Sequence, residues 1–121
     1  MTDSSEPWPT EIRLNKEQNV LTVNFDDGKG YDLTAEYLRV HSPSAEVQGH
    51  SPEQRKTVGG KRDVQISNLQ QVGNYAVKIQ FSDGHDTGLF SWSYLYDLGQ
   101  TYDERWTMYL AELSTKGLHR G

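Results

Sequence analysis

The chain has 121 residues, a formal net charge of -5 and 34% hydrophobic residues, and it contains no cysteine. This length suits one domain. The lack of cysteine excludes disulfides and thiolate chemistry, and the negative charge argues against nonspecific binding of nucleic acid or of a lipid membrane. The polar first residues and the absence of an apolar run of about 20 residues predict a cytoplasmic protein without a membrane span.

The pattern of the whole chain predicts one α+β domain. Residues 1–9 carry two prolines and are interpreted as a flexible N-terminal arm, and residues 10–117 are expected to form the domain. We expect a small, mostly antiparallel β domain with two β-hairpins, short helices and a C-terminal amphipathic helix.

Alternating apolar residues predict the strands, because side chains with a period of two lie on one face of a strand. The predicted strands are at residues 11–14, 20–25, 31–33, 75–81 and 87–90, and Val64 and Ile66 begin a further one. Asp27 with Gly28, and Asp83 with Gly84, supply the tight turns of two hairpins.

Capping residues predict three helices. Thr34 precedes a helix over residues 35–40, and Ser91 caps a helix that Gly99 is expected to end. Thr101 and Glu104 have the spacing of a capping box at the start of the C-terminal helix. The apolar face of that helix is expected to carry Tyr102, Trp106, Tyr109, Leu110 and Leu113.

The two hairpins echo each other in sequence. The repeated pairs are Phe25 and Phe81, Asp27 and Asp83, Gly28 and Gly84, Thr34 and Ser91, Tyr37 and Tyr94, and Leu38 and Leu95. One interpretation is convergence on a common turn. The other is a duplicated half-domain, which predicts two hairpins in similar settings.

A long segment without strand or helix pattern, residues 41–63, separates the two halves, and loops of this length are usually functional or disordered. It carries a group of basic residues, which are Arg55, Lys56, Lys61 and Arg62. They belong either to a solvated charged loop or to a surface that binds a phosphate or an acidic partner. The spacing of a P-loop is missing.

Two segments are specific as strings: YLRVHSPSA at residues 37–45 and VGNYAVKIQFSDGHDTGLFSWSYL at residues 72–95. With them the chain resembles the gamma-butyrobetaine hydroxylase-like N-terminal domain family, also called domain of unknown function 971, over roughly residues 10–114. It resembles the small stand-alone bacterial members. The resemblance implies a mostly antiparallel β domain that is not itself catalytic. Other members precede the catalytic domain of carnitine-synthesis dioxygenases or are joined to P-loop proteins of iron–sulfur cluster assembly.

In the dioxygenases this domain holds a structural zinc with three cysteines and one histidine. The resemblance places those ligands at Ser42, Ser44, Val47 and His85, so that only the histidine remains. A neutral serine is a poor zinc ligand and valine is none. The resemblance therefore implies a kept scaffold without the four-ligand zinc site.

His85 is either a metal ligand or a turn histidine that hydrogen-bonds the hairpin or the facing loop. His41, Glu46 and His50 lie in the loop expected to face it, and they could rebuild a zinc or iron site. Their spacing matches no standard metal motif. We expect no resident cofactor. These residues would still allow weak binding of zinc or iron.

Three hypotheses follow. The main one is a noncatalytic interaction or accessory module that binds a protein partner. Its expected contacts are Arg55, Lys56, Lys61, Arg62 and an exposed aromatic residue such as Trp92, Tyr96 or Trp8. The alternative for each of these three aromatic residues is a place in the core. The alternative is a metal-binding protein, with His85, His41 and His50 as ligands, linked to iron–sulfur cluster assembly or to a dioxygenase partner. An enzyme is not expected, since no nucleophile motif occurs and no serine–histidine pair is implied.

Overall fold

Six strands and four helices alternate along the part of the chain that the structure describes. The structure is a computed structural model that describes residues 7–121, so residues 1–6 of the predicted arm lie outside it. The strands are β1 Pro9–Leu14, β2 Val20–Phe25, β3 Gly30–Thr34, β4 Ile66–Val72, β5 Ala76–Phe81 and β6 Leu89–Ser91. The helices are α1 Ala35–Val40, α2 Ala45–Gln48, α3 Trp92–Gln100 and α4 Tyr102–Thr115.

The first sheet is antiparallel, with the strand order β1-β2-β3. Every second residue of its central strand is buried, namely Leu21, Val23 and Phe25, as the alternation predicted. Gly28 takes a φ of 87° in the turn between β2 and β3, a conformation that costs glycine little. The first strand begins at Pro9, inside the predicted arm, and the carbonyl of Trp8 accepts a hydrogen bond from the N–H of Asp26.

The second sheet is also antiparallel, with the order β4-β5-β6. Its central strand buries Val77, Ile79 and Phe81, and Gly84 takes a φ of 91° in the following turn. Tyr75 was included in the predicted strand, but it precedes β5 and is 55% exposed. These two sheets and the helices confirm the α+β class.

The two halves repeat one arrangement, a three-stranded sheet followed by a capped helix. The hydroxyl of Thr34 accepts a hydrogen bond from the N–H of Tyr37, and that of Ser91 accepts one from Tyr94, both at 3.1 Å. The Tyr37 hydroxyl then donates to the Leu98 carbonyl and ties α1 to α3. The two hairpins in similar settings, which a duplicated half-domain predicts, are therefore present.

One hydrophobic core joins the two halves. It draws on both sheets and on α1 and α3, with Tyr37 and Phe90 as its largest fully buried side chains. A smaller cluster of Val40, Tyr109 and Leu113 seats α4. Within the described residues no helix has the length and apolar character that crossing a membrane requires.

The structure differs from the prediction at the end of α3 and in the cap of α4. Gly99 does not end α3 but lies inside it, because the ring of Tyr31 packs on it so closely that a Cβ there would come within 2.3 Å of the ring. The predicted capping box is wrong. Thr101 makes no side-chain cap, and its hydroxyl donates to the Asp97 carbonyl and accepts from Arg105.

The long middle segment contains the short helix α2 and a 3-10 turn, Pro52–Gln54, which the sequence did not predict. The hydroxyl of Ser44 caps α2 by accepting from the N–H of Glu46. The N–H of Lys56 donates to the Val47 carbonyl at 2.7 Å and fixes the basic stretch against α2. This contact brings part of the segment to the site described below.

The C-terminal residues beyond the predicted limit at 117 pack on the domain. The N–H groups of Gly60 and Arg62 donate to the carbonyls of His119 and Arg120. The Arg120 guanidinium makes two hydrogen bonds, of 2.8 and 3.0 Å, to the carboxylate of Glu36, which is 5% exposed. The domain therefore extends to residue 121.

Candidate functional site

The turn between β5 and β6 presents His85 to the segment that follows α1. Its N–H donates to a carboxylate oxygen of Asp83 at 3.0 Å, and its carbonyl accepts from the N–H of Phe81. These contacts hold the imidazole inward, with the residue only 7% exposed. His85 is thus a buried histidine held by its own turn.

Both ring nitrogens of His85 have partners. Nδ1 lies 2.9 Å from Oε1 of Glu46, and Nε2 lies 2.9 Å from Oγ of Ser42. Because a carboxylate only accepts, we assign the proton to Nδ1, and Nε2 then accepts from the serine hydroxyl. Burial, and after it the charge of Arg39, lowers the pKa of His85, so the ring is neutral at pH 7.

A second branch of hydroxyl groups closes the network. Ser44 Oγ lies 2.6 Å from Thr87 Oγ1, which donates to Oε1 of Glu46 at 3.3 Å. We refer to Ser42, Ser44, Glu46, His85 and Thr87 as the His85 network. It links the segment from the end of α1 through α2 to the turn before β6, across about 40 residues of sequence.

The His85 network does not fit a zinc ion. Of the four positions where the resemblance implies zinc ligands, three hold a neutral hydroxyl or an apolar side chain, which are Ser42, Ser44 and Val47, and both ring nitrogens of His85 are engaged. Among residues 7–121 no three His, Asp or Glu side chains come together as a metal site requires.

The other two candidate histidines lie apart from His85. His41 packs its ring on Tyr37, with a centroid distance of 4.7 Å, and Nδ1 lies 3.1 Å from the Tyr37 carbonyl. Burial lowers the pKa of His41 to about 4. His50 is exposed, and its N–H donates to the Gln54 side chain. The structure therefore does not bring the three histidines together.

The Ser42–His85–Glu46 geometry has the order of a serine hydrolase triad, which the sequence analysis missed. The signal that could have found it is the resemblance stated above, which implies that Ser42 and His85 lie at ligand positions of one site. The Ser42 residue has 0% exposure, so its hydroxyl faces protein rather than a substrate. This arrangement supports a structural task for the serine.

The four basic residues of the loop separate into two pairs. Arg55 and Lys56 line a cleft against α3 and α4. Lys61 and Arg62 line a shallower hollow elsewhere, where the Lys61 ammonium lies 2.6 Å from the Asp83 carboxylate. Although burial opposes it, hydrogen bonds from Lys61, the His85 N–H and Arg39 lower the pKa of Asp83 to about 2.

The cleft has a volume of about 350 Å³ and lies where the basic loop meets the helices. We call it the loop–helix cleft. Val40 and His41 at the end of α1, Gln48 of α2, Tyr94 of α3, and Met108 and Tyr109 of α4 contribute walls. Its lining therefore combines apolar and aromatic side chains with charged and polar ones.

The charges around the loop–helix cleft are mostly paired. Arg55 pairs with Glu112, and Arg105 pairs with Asp97 at 2.6 Å. Lys56 and Glu104 also line the cleft, and neither makes an ion pair with a described residue.

Trp92 belongs to the core. It is 7% exposed, and its indole N–H donates to the Asn74 carbonyl at 2.8 Å. The expectation that Trp92 forms an exposed partner anchor is therefore wrong in this structure. Tyr96 is half-buried, with its hydroxyl on Asp27, whereas Trp8 is 50% exposed.

The fold and the site define a small α+β domain with a buried histidine whose two ring nitrogens are both hydrogen-bonded. The chain belongs to the gamma-butyrobetaine hydroxylase-like, N-terminal family, whose sequence profile matches residues 12–96. This confirms the resemblance seen in the sequence. The family is one of unknown function. No protein of curated function matches the chain.

Solved structures of similar proteins have the same fold. One solution NMR structure is 46% identical, with a TM-score of 0.82, and the match covers 96% of this chain and 91% of that one. A second is 43% identical, with a TM-score of 0.82 and coverage of 99% and 89%. A crystal structure of a family member of unknown function from Acidithiobacillus ferrooxidans is 41% identical, with a TM-score of 0.62 and coverage of 75% and 91%.

Proposed function

We propose that this protein is a noncatalytic accessory module that binds a protein partner through the loop–helix cleft. The observation that carries the proposal is the cleft itself. It joins two of the predicted basic residues, Arg55 and Lys56, to apolar and aromatic side chains such as Tyr94 and Met108. Aromatic residues, methionine and arginine are enriched at protein–protein interfaces.

The rim of the cleft offers an apolar anchor. Met108 is 58% exposed, although a side chain of this kind gains free energy when it is buried. Methionine is flexible and polarisable, and it is frequent on surfaces that adapt to a partner. Tyr94 and Tyr109 lie behind it in the wall, which gives an inserted apolar side chain a surface to pack on.

The charged residues of the loop–helix cleft indicate which groups a partner would present. Lys56 has no ion pair among the described residues, and the Arg55 side chain is 39% exposed beside Glu112. A carboxylate on the partner would pair with Lys56 at the loop side of the cleft. By the same argument a basic group would pair with Glu104, so the occupant is a segment of another protein that presents an apolar side chain between an acidic and a basic one.

Two variants of equal chemistry test the proposal. Lys56→Glu with Met108→Asp changes the cleft, whereas Lys16→Glu with Leu110→Asp changes exposed residues that do not line it. Each tagged protein is used to capture partners from the source cells, and the captured proteins are identified by mass spectrometry. Thermal unfolding of each purified variant is measured first, so that only folded proteins are compared.

The expected result is a partner that the unchanged protein and the Lys16→Glu, Leu110→Asp variant both retain and that the cleft variant loses. The proposal fails if no partner is reproducible, or if the cleft variant retains every partner.

The alternative function, a zinc- or iron-binding protein linked to iron–sulfur cluster assembly or to a dioxygenase partner, has one observation in its favour. His85 lies on the second hairpin, where the resemblance implies a histidine ligand. Elemental analysis of untagged protein purified without added metal tests it. A content near one ion per chain, lost in His85→Gln, would favour this function over the first.

A further inference from the structure

The His85 network joins two segments that are otherwise distant in sequence. Ser42 Oγ and His85 Nε2, and Ser44 Oγ and Thr87 Oγ1, are each paired across 43 positions, at 2.9 and 2.6 Å. Every polar side-chain atom of the network that is buried in the described structure has a partner. Buried polar groups contribute to a unique structure when all of them are satisfied.

The backbone around the network is shaped to admit it. A Cβ at Gly88 would lie 2.4 Å from the Ser42 hydroxyl, so only glycine at this position allows the serine to approach the turn. Ser42 has 0% exposure, Ser44 7% and His85 7%. The His85 network is therefore a buried contact between the two segments and not a contact of surface side chains.

We propose that the His85 network replaces a metal ion as the cross-link between the α2 segment and the β5–β6 turn. A zinc ion links segments by binding several side chains at one point, and here three hydroxyls, one imidazole and one carboxylate link the same segments by hydrogen bonds. At the position where the resemblance implies a zinc site, hydrogen bonds thus link the two segments of this chain without a metal ion. The inference is independent of the partner-binding function proposed above.

The His85 network also positions part of the loop–helix cleft. The Gln48 side chain donates to the Ser42 carbonyl at 2.8 Å, and the Lys56 N–H donates to the Val47 carbonyl at 2.7 Å. Both Gln48 and Lys56 line the cleft. Weakening the His85 network is therefore expected to make both α2 and the basic stretch less ordered, while the core between the sheets keeps its packing.

Exchanging one cross-link for the other tests the proposal. The variant Ser42→Cys, Ser44→Cys, Val47→Cys removes the two serine hydroxyls and supplies thiols at the three positions where the resemblance implies cysteine ligands. Since the chain contains no other cysteine, thiolate signals in this variant arise from the three new residues alone. The probes are Zn²⁺ for stoichiometry and Co²⁺ for its visible spectrum, and backbone hydrogen exchange reports the order of the α2 segment.

Without metal, the triple variant is expected to exchange the amides of Gln48 and Gly49, which are hydrogen-bonded in α2, about tenfold faster than the unchanged protein. The amides of β2 are expected to keep their protection. Adding Zn²⁺ is expected to restore the α2 protection with about one ion per chain, and Co²⁺ is expected to give a tetrahedral thiolate spectrum. His85→Gln in the same background is expected to alter that spectrum.

A milder variant keeps the test decisive if the triple variant does not fold. Glu46→Gln leaves the size of this largely exposed side chain unchanged but weakens its bond to Nδ1 of His85, and faster exchange confined to residues 45–49 is expected. The proposal is overturned if Glu46→Gln leaves this exchange unchanged, if zinc does not restore protection to a folded triple variant, or if the unchanged protein binds one zinc through His85.

Discussion

The hydroxyl of Tyr37 and the carbonyl of Leu98 are joined by a hydrogen bond of 2.7 Å that connects the helices of the two halves. Both residues have 0% exposure. The carbonyl lies in the last turn of α3, where backbone acceptors lack a partner in their own helix. The Tyr37 side chain of the first half therefore supplies a donor to the Leu98 carbonyl at the end of a helix in the second half.

We expect Tyr37→Phe to lower the free energy of unfolding by about 1–3 kcal/mol, because it leaves the Leu98 carbonyl buried without a donor. Urea unfolding followed by tryptophan fluorescence measures the change. Tyr75→Phe is the matched control, since Tyr75 is 55% exposed, and we expect it to change stability by less than about 0.5 kcal/mol. Equal effects of the two variants would contradict the structural importance of the bond.

Gly99→Ala is expected to destabilise the fold by about 1–3 kcal/mol, because its Cβ would lie 2.3 Å from the Tyr31 ring. A double-mutant cycle with Tyr31→Ala separates this clash from helix propensity. In the Tyr31→Ala background the added methyl group is expected to be neutral or stabilising, since alanine favours helix over glycine. A cost that persists without the ring would show that another contact is responsible.

His41 makes stability depend on pH. Its pKa is about 4 in the folded protein and about 6.5 when unfolded, since burial disfavours the charged ring. As the pH falls from 6.5 to 4, the unfolded chain binds a proton that the folded protein does not, so the free energy of unfolding falls. The pKa difference corresponds to about 3 kcal/mol, and the partial exposure of the ring reduces our expectation to about 2 kcal/mol.

Urea unfolding at pH 7 and pH 4.5 measures this dependence. We expect His41→Gln to remove most of the His41 share of the difference and His50→Gln, at an exposed position, to leave it unchanged. If both variants kept the full pH dependence, other groups would have to carry it.

The contact between Arg120 and Glu36 is expected to hold the C-terminal residues on the domain. Arg120→Met leaves the carboxylate of Glu36, which is 5% exposed, without its cation, and we expect a loss of about 2–4 kcal/mol. Adding Glu36→Gln should recover part of this loss in thermal unfolding. Arg62→Met, an exposed neighbour of the tail, serves as the control, and a comparable loss there would count against the ion pair.

The strands and the two capped helices could be predicted because their signals are local. Alternation determined the buried faces of β2 and β5, the glycines at 28 and 84 marked the turns, and Thr34 and Ser91 marked the helix starts. Each signal depends on residues a few positions apart, whose geometry the backbone of a strand, turn or helix dictates.

The sequence by itself thus determined the fold class, the repeated hairpin and helix, and, through its two specific segments, the family. Only the tertiary structure decided that Gly99 lies inside α3, that Trp92 belongs to the core, and that both ring nitrogens of His85 are hydrogen-bonded, to Ser42 and Glu46. These outcomes depend on side chains brought together from distant segments. No local pattern encodes which groups share a cavity, because burial and hydrogen-bond partners are set only when the elements pack.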